Sequence, residues 1–232
     1  MPRVSLRCCC FIALLLVIGS TSSADDSPPP VHQFADGPPS FDLREYLPTP
    51  RKQTKNNCVA WAIAYGSLSC QVCQERQTTQ PTRSCDLFSP SFIYNELAKH
   101  GDDGLHLNDA INYVNEHGCA TLQTMPLGSR EPDAAATSEA KIYKPWGHKK
   151  TTSVAEIRRY IQDGFPVILV VRNDAVFNCK EALAEPFRWK KTRAEMTADF
   201  DKFGPHAVCA VGYDDAKQAV LVMNTPPGLS RS

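Results

Sequence analysis

The sequence predicts an α+β fold, with helices in its N-terminal half and antiparallel sheet in its C-terminal half. Two observations carry this prediction. From Cys58 to Asp163 the apolar residues fall in helical blocks bracketed by capping residues and by Gly or Pro, whereas from Pro166 onward they fall in short β-branched runs. Helices first and strands later point to a helical lobe and a β lobe rather than alternating βαβ units. The length bounds the answer, because 232 residues bury one sizeable core or two closely packed lobes and no more.

Asn56 or Asn57 can cap a helix from Cys58 to about Gln74, since CVAWAIAYGSLSCQVCQ is apolar through its first turns as a buried central helix would be. Ser89 as cap and Pro90 at the first position start a second helix through SFIYNELAKH, closing at Gly101. A third spans Leu107 to His117 and stops at Gly118. A loop rich in Ala, Ser and Glu follows. Ser153 and Glu156 then form a capping box for VAEIRRYIQD, which Gly164 and Pro166 end. The strands are VILVVRN, HAVCAVGYDD and QAVLVMN, and a polar turn joins the last two as a hairpin. No internal repeat is present.

Apolar residues make up 42% and charged residues 22% of the chain, and 25 basic residues balance 25 acidic ones. With no basic excess or cluster, neither nucleic acid nor an anionic membrane is expected as a partner. Arg3 and Arg7 precede the apolar run CCCFIALLLVIG, and Ser22-Ser23-Ala24 follows it, so residues 1–24 read as a secretory signal peptide cut near Ala24. Cys8, Cys9 and Cys10 are apolar filler in that signal. No later segment is apolar enough to cross a membrane. Residues 25–39, rich in Pro, Ser and Asp, read as a disordered leader to a domain over residues 40–232.

Beyond the signal stand Cys58, Cys70, Cys73, Cys85, Cys119, Cys179 and Cys209, an odd number for an oxidising compartment. One thiol stays unpaired, for catalysis or as an inert buried group. Cys70 and Cys73 form a CxxC, but on a helix their Cβ atoms lie roughly 5–6 Å apart, beyond disulfide range, so both are expected to pair with other cysteines. Zinc would need a second closely spaced Cys/His pair, which the sequence lacks, and neither metal nor other cofactor is expected.

A cysteine at a helix N-terminus is where thiolate is favoured, because unpaired N–H groups and the helix dipole stabilise negative charge there. Gln53 lies five residues ahead of Cys58, where its amide and the Cys58 N–H can form an oxyanion hole. His206 starts one strand of the predicted hairpin and Asn224 ends the other, so pairing makes them neighbours, as a base and its orienter must be. Taken singly, His206 also fits a satisfied strand-end histidine and Asn224 a turn residue. Trp61 reads as core, His106 as a solvated helix-start residue, and Cys209 as the alternative inert thiol.

PPSFDLRE, Gln53 with CVAWA, SPSFIYNE, DDGLHLNDAINYVNEHG and FGPHAVCAVGYDD with VLVMN together resemble the papain family of cysteine peptidases, in the family's order from Ser40 to Asn224. The resemblance implies a papain-like two-lobe fold and a monomer acting on peptide or protein substrates, secreted or endolysosomal. It implies Cys58 as nucleophile, His206 as the base paired with it as imidazolium, Asn224 as the orienter and Gln53 as oxyanion donor. It also implies Gly104 where the substrate backbone approaches closely, and Pro205 and Ala207 bordering the pocket for the residue two before the scissile bond.

The chain departs from the family's pattern in places. Val59 replaces the usual tryptophan, the Gln53-to-Cys58 spacing is one shorter, and Lys55 stands where a disulfide cysteine is common. Residues 25–39 are too few for a folded inhibitory propeptide. The family's Asn-Ser-Trp-Gly is here Asn224-Thr225-Pro226-Pro227-Gly228, so the β lobe is expected to be incomplete, with the apolar edges of HAVCAVGY and VLVM exposed. Two other functions compete with a peptidase: a catalytically silent relative binding peptides or proteins through the same cleft, and a disulfide-stabilised interaction module.

Overall fold

The strand Pro205–Asp214 (β3) is the spine of the only sheet among the described residues. The computed structural model describes residues 37–98, 101–145, 147–172 and 204–225. The predicted signal peptide, most of the leader, Cys179 and Pro226 to Gly228 lie outside them. Ser40–Asp42 (β1) pairs antiparallel with Asp214 to Gly212, and Val167–Arg172 (β2) with Ala210 to Pro205. Ala219–Met223 (β4) pairs with residues 209 to 214 and overlaps both registers. It therefore occupies one edge of β3, while β1 and β2 share the other. Val211 is the extra residue where the β3–β4 register shifts, a bulge of the kind that twists a strand locally.

The sheet is antiparallel throughout, as the alternation and the polar turn predict. One expectation fails: HAVCAVGY is not an exposed edge. β3 is flanked on both edges, and His206 through Tyr213 are buried. The half-exposed apolar strand is β4, whose residues Ala219 to Val222 lie at the outer edge.

The predicted central helix is one continuous rod over residues 58–75, in three segments: Cys58–Ala60 (α1), a π-type stretch Trp61–Leu68, and Ser69–Glu75 (α2). The π stretch is buried at every residue, as its nearly unbroken apolar sequence requires. It packs against β2 and β3 on one side and against Pro90–Leu97 (α3) on another. Gly66 permits the approach to the sheet, since a Cβ there would stand 2.8 Å from the Cys209 Cβ and 3.2 Å from its Sγ. The far end of the rod is held by Asp86, fully buried between Arg76 (2.6 Å) and Arg83 (2.8 Å). Burial works to raise this carboxyl, but the two guanidiniums prevail and hold it below the usual carboxylate range.

Leu107–His117 (α4) ends at Gly118 as predicted and packs on α3, which stops at Leu97, short of Gly101. The Ala, Ser and Glu-rich segment is not all loop. Asp133 accepts a hydrogen bond from the Ala136 N–H (2.8 Å) and caps a short helix, Ala134–Ala140 (α5). Glu139 of this helix takes the backbone N–H of Thr121 (2.8 Å), joining it to the chain beyond α4. The last helix, Val154–Gln162 (α6), lies against β1, β2 and β3. Its Ser153 cap accepts from the Glu156 N–H, but Glu156 does not reach back to Ser153. Thr151 intervenes, accepting from the Ser153 N–H (3.1 Å) and donating to the Glu156 carboxylate.

The described cysteines, 58, 70, 73, 85, 119 and 209, are all thiols. The expected pairing of Cys70 and Cys73 with other cysteines is therefore not what the structure holds. Both face the interior and pack as small apolar groups, with the Cys73 sulfur 3.8 Å from the Asp86 carbonyl and that of Cys70 3.6 Å from the Gln74 amide. Burial pushes the Cys70 thiol up to about 12 and Cys73 to about 11.

Candidate active site

Cys58 is the first residue of the central helix and half-buried, with Asn57 as cap. Asn57 is a cap by position only. Its side chain makes no capping hydrogen bond, and its Oδ1 is buried without a partner among the described residues. The start of the helix packs against β3. Burial pushes the Cys58 thiol above its ordinary value, while the backbone N–H groups of Ala207, Val59 and Cys58 itself favour the thiolate and pull the other way. The sulfur thus meets β3 one residue from His206.

His206 is the second residue of β3, opposite Val171 of β2, and only 3% exposed. Asn224 follows the last residue of β4. Pairing of β4 with β3 brings its Oδ1 to 2.8 Å from His206 Nε2. With Nε2 donating to that amide oxygen, Nδ1 is the ring nitrogen that carries the acceptor lone pair. Burial lowers the imidazole from its ordinary value, and the Asn224 bond opposes this. The hairpin thus brings together residues 18 apart in sequence, on the strand against which the helix start carrying Cys58 packs.

Gln53 is 3% exposed, and its Oε1 finds no partner among the described residues. Gly104 stands in the loop before α4 at φ +85°, a conformation that favours glycine, where an added Cβ would meet the Asn56 carbonyl at 3.5 Å. Pro205 is exposed at the first position of β3, and Ala207 is buried two residues on. Trp61 is core, 4% exposed and edge-on to Tyr65 at 5.0 Å. His106 is exposed at the start of α4, and Cys209 is fully buried against Gly66.

Sequence reasoning missed the residues that hold the loop ahead of Cys58. The Asn56 backbone N–H donates to Asp102 Oδ1 (2.8 Å), and the Asn56 side-chain amide donates to the Asp102 carbonyl (2.7 Å). The hydroxyl of Tyr94, on α3, donates to the same Asp102 Oδ1, and the Lys55 ammonium lies over the Tyr94 ring at 5.3 Å. These bonds tie the 53–57 loop to the Gly104 loop where Lys55 excludes a disulfide. No local pattern announces a contact 46 residues apart, although the Asp-Asp-Gly at 102–104 marks the turn that presents it. Beside this loop lies a polar concavity of about 700 Å³, lined by Thr54, Asn57, Tyr94, Asp102 and Arg130 but by neither Cys58 nor His206. Among the described residues no group of three or more His, Cys, Asp or Glu side chains is placed to hold a metal ion.

The profile of the Peptidase_C39 like family matches residues 95–228, more than half of the chain, including His206 and Asn224 but not Cys58. An uncharacterized peptidase C1-like protein of Acanthamoeba polyphaga mimivirus is 27% identical over 206 residues, which cover 80% of this chain and 64% of that protein. The chain thus spans less than two thirds of that relative's length. Among solved structures it is similar to xylellain, a cysteine protease from Xylella fastidiosa, with a TM-score of 0.60 and 18% identity over 94% of this chain and 85% of that one. It is also similar to digestive procathepsin L 3 of the Tenebrio molitor larval midgut, with a TM-score of 0.52 and 16% identity over 78% of this chain and 57% of that one. Helices beside an antiparallel sheet, in this order, make up a papain-like cysteine protease fold.

Proposed function

The chain belongs to the Peptidase_C39 like family, and from that premise we propose that it hydrolyses peptide bonds with Cys58 as nucleophile and His206 as its acid/base partner. The observation that carries this reading is the 2.8 Å bond between His206 Nε2 and Asn224 on a strand against which the Cys58 end of the central helix packs. Burial disfavours each charge taken alone, leaving a thiol and a neutral ring. The charges therefore arise together, by transfer of the sulfur's proton to Nδ1, so that each ion is formed beside its counter-ion.

The thiolate attacks the scissile carbonyl carbon, and the carbonyl oxygen takes up negative charge before the Cys58 N–H and the Gln53 side-chain amide. Collapse of the tetrahedral adduct breaks the C–N bond, and His206 returns its proton to the leaving amine. Water, deprotonated by the same imidazole, then hydrolyses the thioester and restores the thiol. Asn224 fixes the ring plane throughout. Gly104 offers open backbone to an extended substrate, with Pro205 and Ala207 on the other wall.

Treatment with a thiol-directed peptidyl epoxide is expected to add one probe mass to the intact protein and none to Cys58→Ala. A folded wild-type protein that takes up no probe would instead favour a silent relative that binds peptides in the same cleft. For localisation the reading is a secreted or endolysosomal protein, supported by the signal-like pattern of residues 1–24. Terminal sequencing of the mature protein from a secretory host is then expected to begin at Asp25, and retention of Met1 would count against it.

A further inference from the structure

We propose that Asp102 is a positioning residue that sets where the Cys58 sulfur stands relative to the loop carrying Gly104. The reasoning starts from what the helix start lacks. Asn57, the residue before Cys58, leaves the first turn without a side-chain cap, so nothing local fixes how the chain comes into the helix. That role passes to Asp102. Its Oδ1 accepts the Asn56 backbone N–H at 2.8 Å, its carbonyl accepts the Asn56 side-chain amide at 2.7 Å, and the two bonds, both donated by Asn56, lock position and orientation of the residue two before Cys58. The same Oδ1 accepts the hydroxyl of Tyr94, which is 3% exposed on α3 and so fixed to the core that the central helix also packs against.

Asp102 therefore refers three parts of the chain to one atom: the approach to Cys58, helix α3, and the turn that leads two residues later into Gly104. Both Asp102 and Asn56 are exposed, and hydrogen bonds made in contact with water add little to global stability. Their leverage is on geometry. A nucleophile displaced by about 1 Å can lose on the order of 10²-fold in rate, so the clamp acts on the chemical step far more than on unfolding. This inference rests on Cys58 being the nucleophile, as proposed above.

The test compares wild type, Asp102→Ala, Asp102→Asn and Tyr94→Phe on a peptidyl aminomethylcoumarin, with thermal melting and amide hydrogen exchange read in parallel. Asp102→Ala is expected to lower kcat about 10- to 100-fold with KM changed less than about threefold, while exchange in the 53–58 segment quickens at nearly unchanged melting temperature. Asp102→Asn keeps an acceptor for the Asn56 N–H and is expected to recover most of kcat, and Tyr94→Phe to fall between. Wild-type turnover together with unaltered kcat and exchange in Asp102→Ala overturns the clamp. Equal loss of activity in the alanine and asparagine variants overturns it too. A wild type that turns nothing over defeats the peptidase reading instead, and exchange at 53–58 then still decides whether Asp102 holds the loop.

Discussion

Replacing His206 with alanine is expected to lower kcat/KM by about 10²- to 10⁴-fold and to change how Cys58 reacts with pH. Burial places the Cys58 thiol above its ordinary value of 9.0, and three backbone N–H groups only partly offset this. Deprived of the imidazole, the sulfur keeps its proton at neutral pH, and alkylation by iodoacetamide should rise only through pH 9 and above. On the proposed mechanism the wild-type ring takes that proton. Because burial lowers the imidazole from 6.5, the base stays available below that pH and is lost only on further acidification. Wild-type alkylation should therefore persist at pH 6.5, where the variant is slow. Superimposable pH profiles for the two proteins would remove His206 from the reaction. A melting curve accompanies the kinetics, since the ring is buried and its removal leaves a void.

Gly66→Ala is expected to destabilise the fold by about 1–3 kcal/mol, against the sign that helix propensity alone would give. On an exposed helix the change would stabilise by about 1 kcal/mol. Here the new methyl would stand 2.8 Å from the Cys209 Cβ and 3.2 Å from its sulfur, inside a core where Cys209 is fully buried. Truncating Cys209 to alanine would relieve the sulfur contact but not the shorter one, so the double variant should not recover. For a chain of this size each kcal/mol corresponds to about 2–4 °C in Tm, readable by circular dichroism. A Tm at or above that of the wild type would mean that helix and sheet can move apart there.

The elements legible in the sequence were those whose signals are local. α4 was marked by its apolar spacing and Gly118, α6 by Ser153 and Gly164, and the β3–β4 hairpin by β-branched runs around a polar turn. Short pieces set by partners were not. β1 is three residues long and is a strand only because β3 lies alongside, and α5 is a single capped stretch whose composition reads equally as loop. The burial of β3 also escaped, because whether an apolar run is central or at an edge depends on which strands return beside it. At the site, His206 and Asn224 could be inferred as neighbours from hairpin pairing alone. The Asn56–Asp102–Tyr94 cluster could not, since it joins a loop, a turn and a helix that only the tertiary fold assembles. Cysteine count and a signal-like N-terminus predict pairing, whereas the six described cysteines are all thiols, four of them buried.

The order in which the ribosome delivers this chain has its own consequence. β1 precedes its partner by more than 160 residues, so Ser40 has no strand to pair with until Asp214 has been made, and the start of the central helix likewise waits for β3. A nascent chain halted before the final hairpin lacks β3, so the start of the central helix has no strand to pack against. Such long-range closure slows folding, because the sheet cannot form until the strand that all the others pair with has been made.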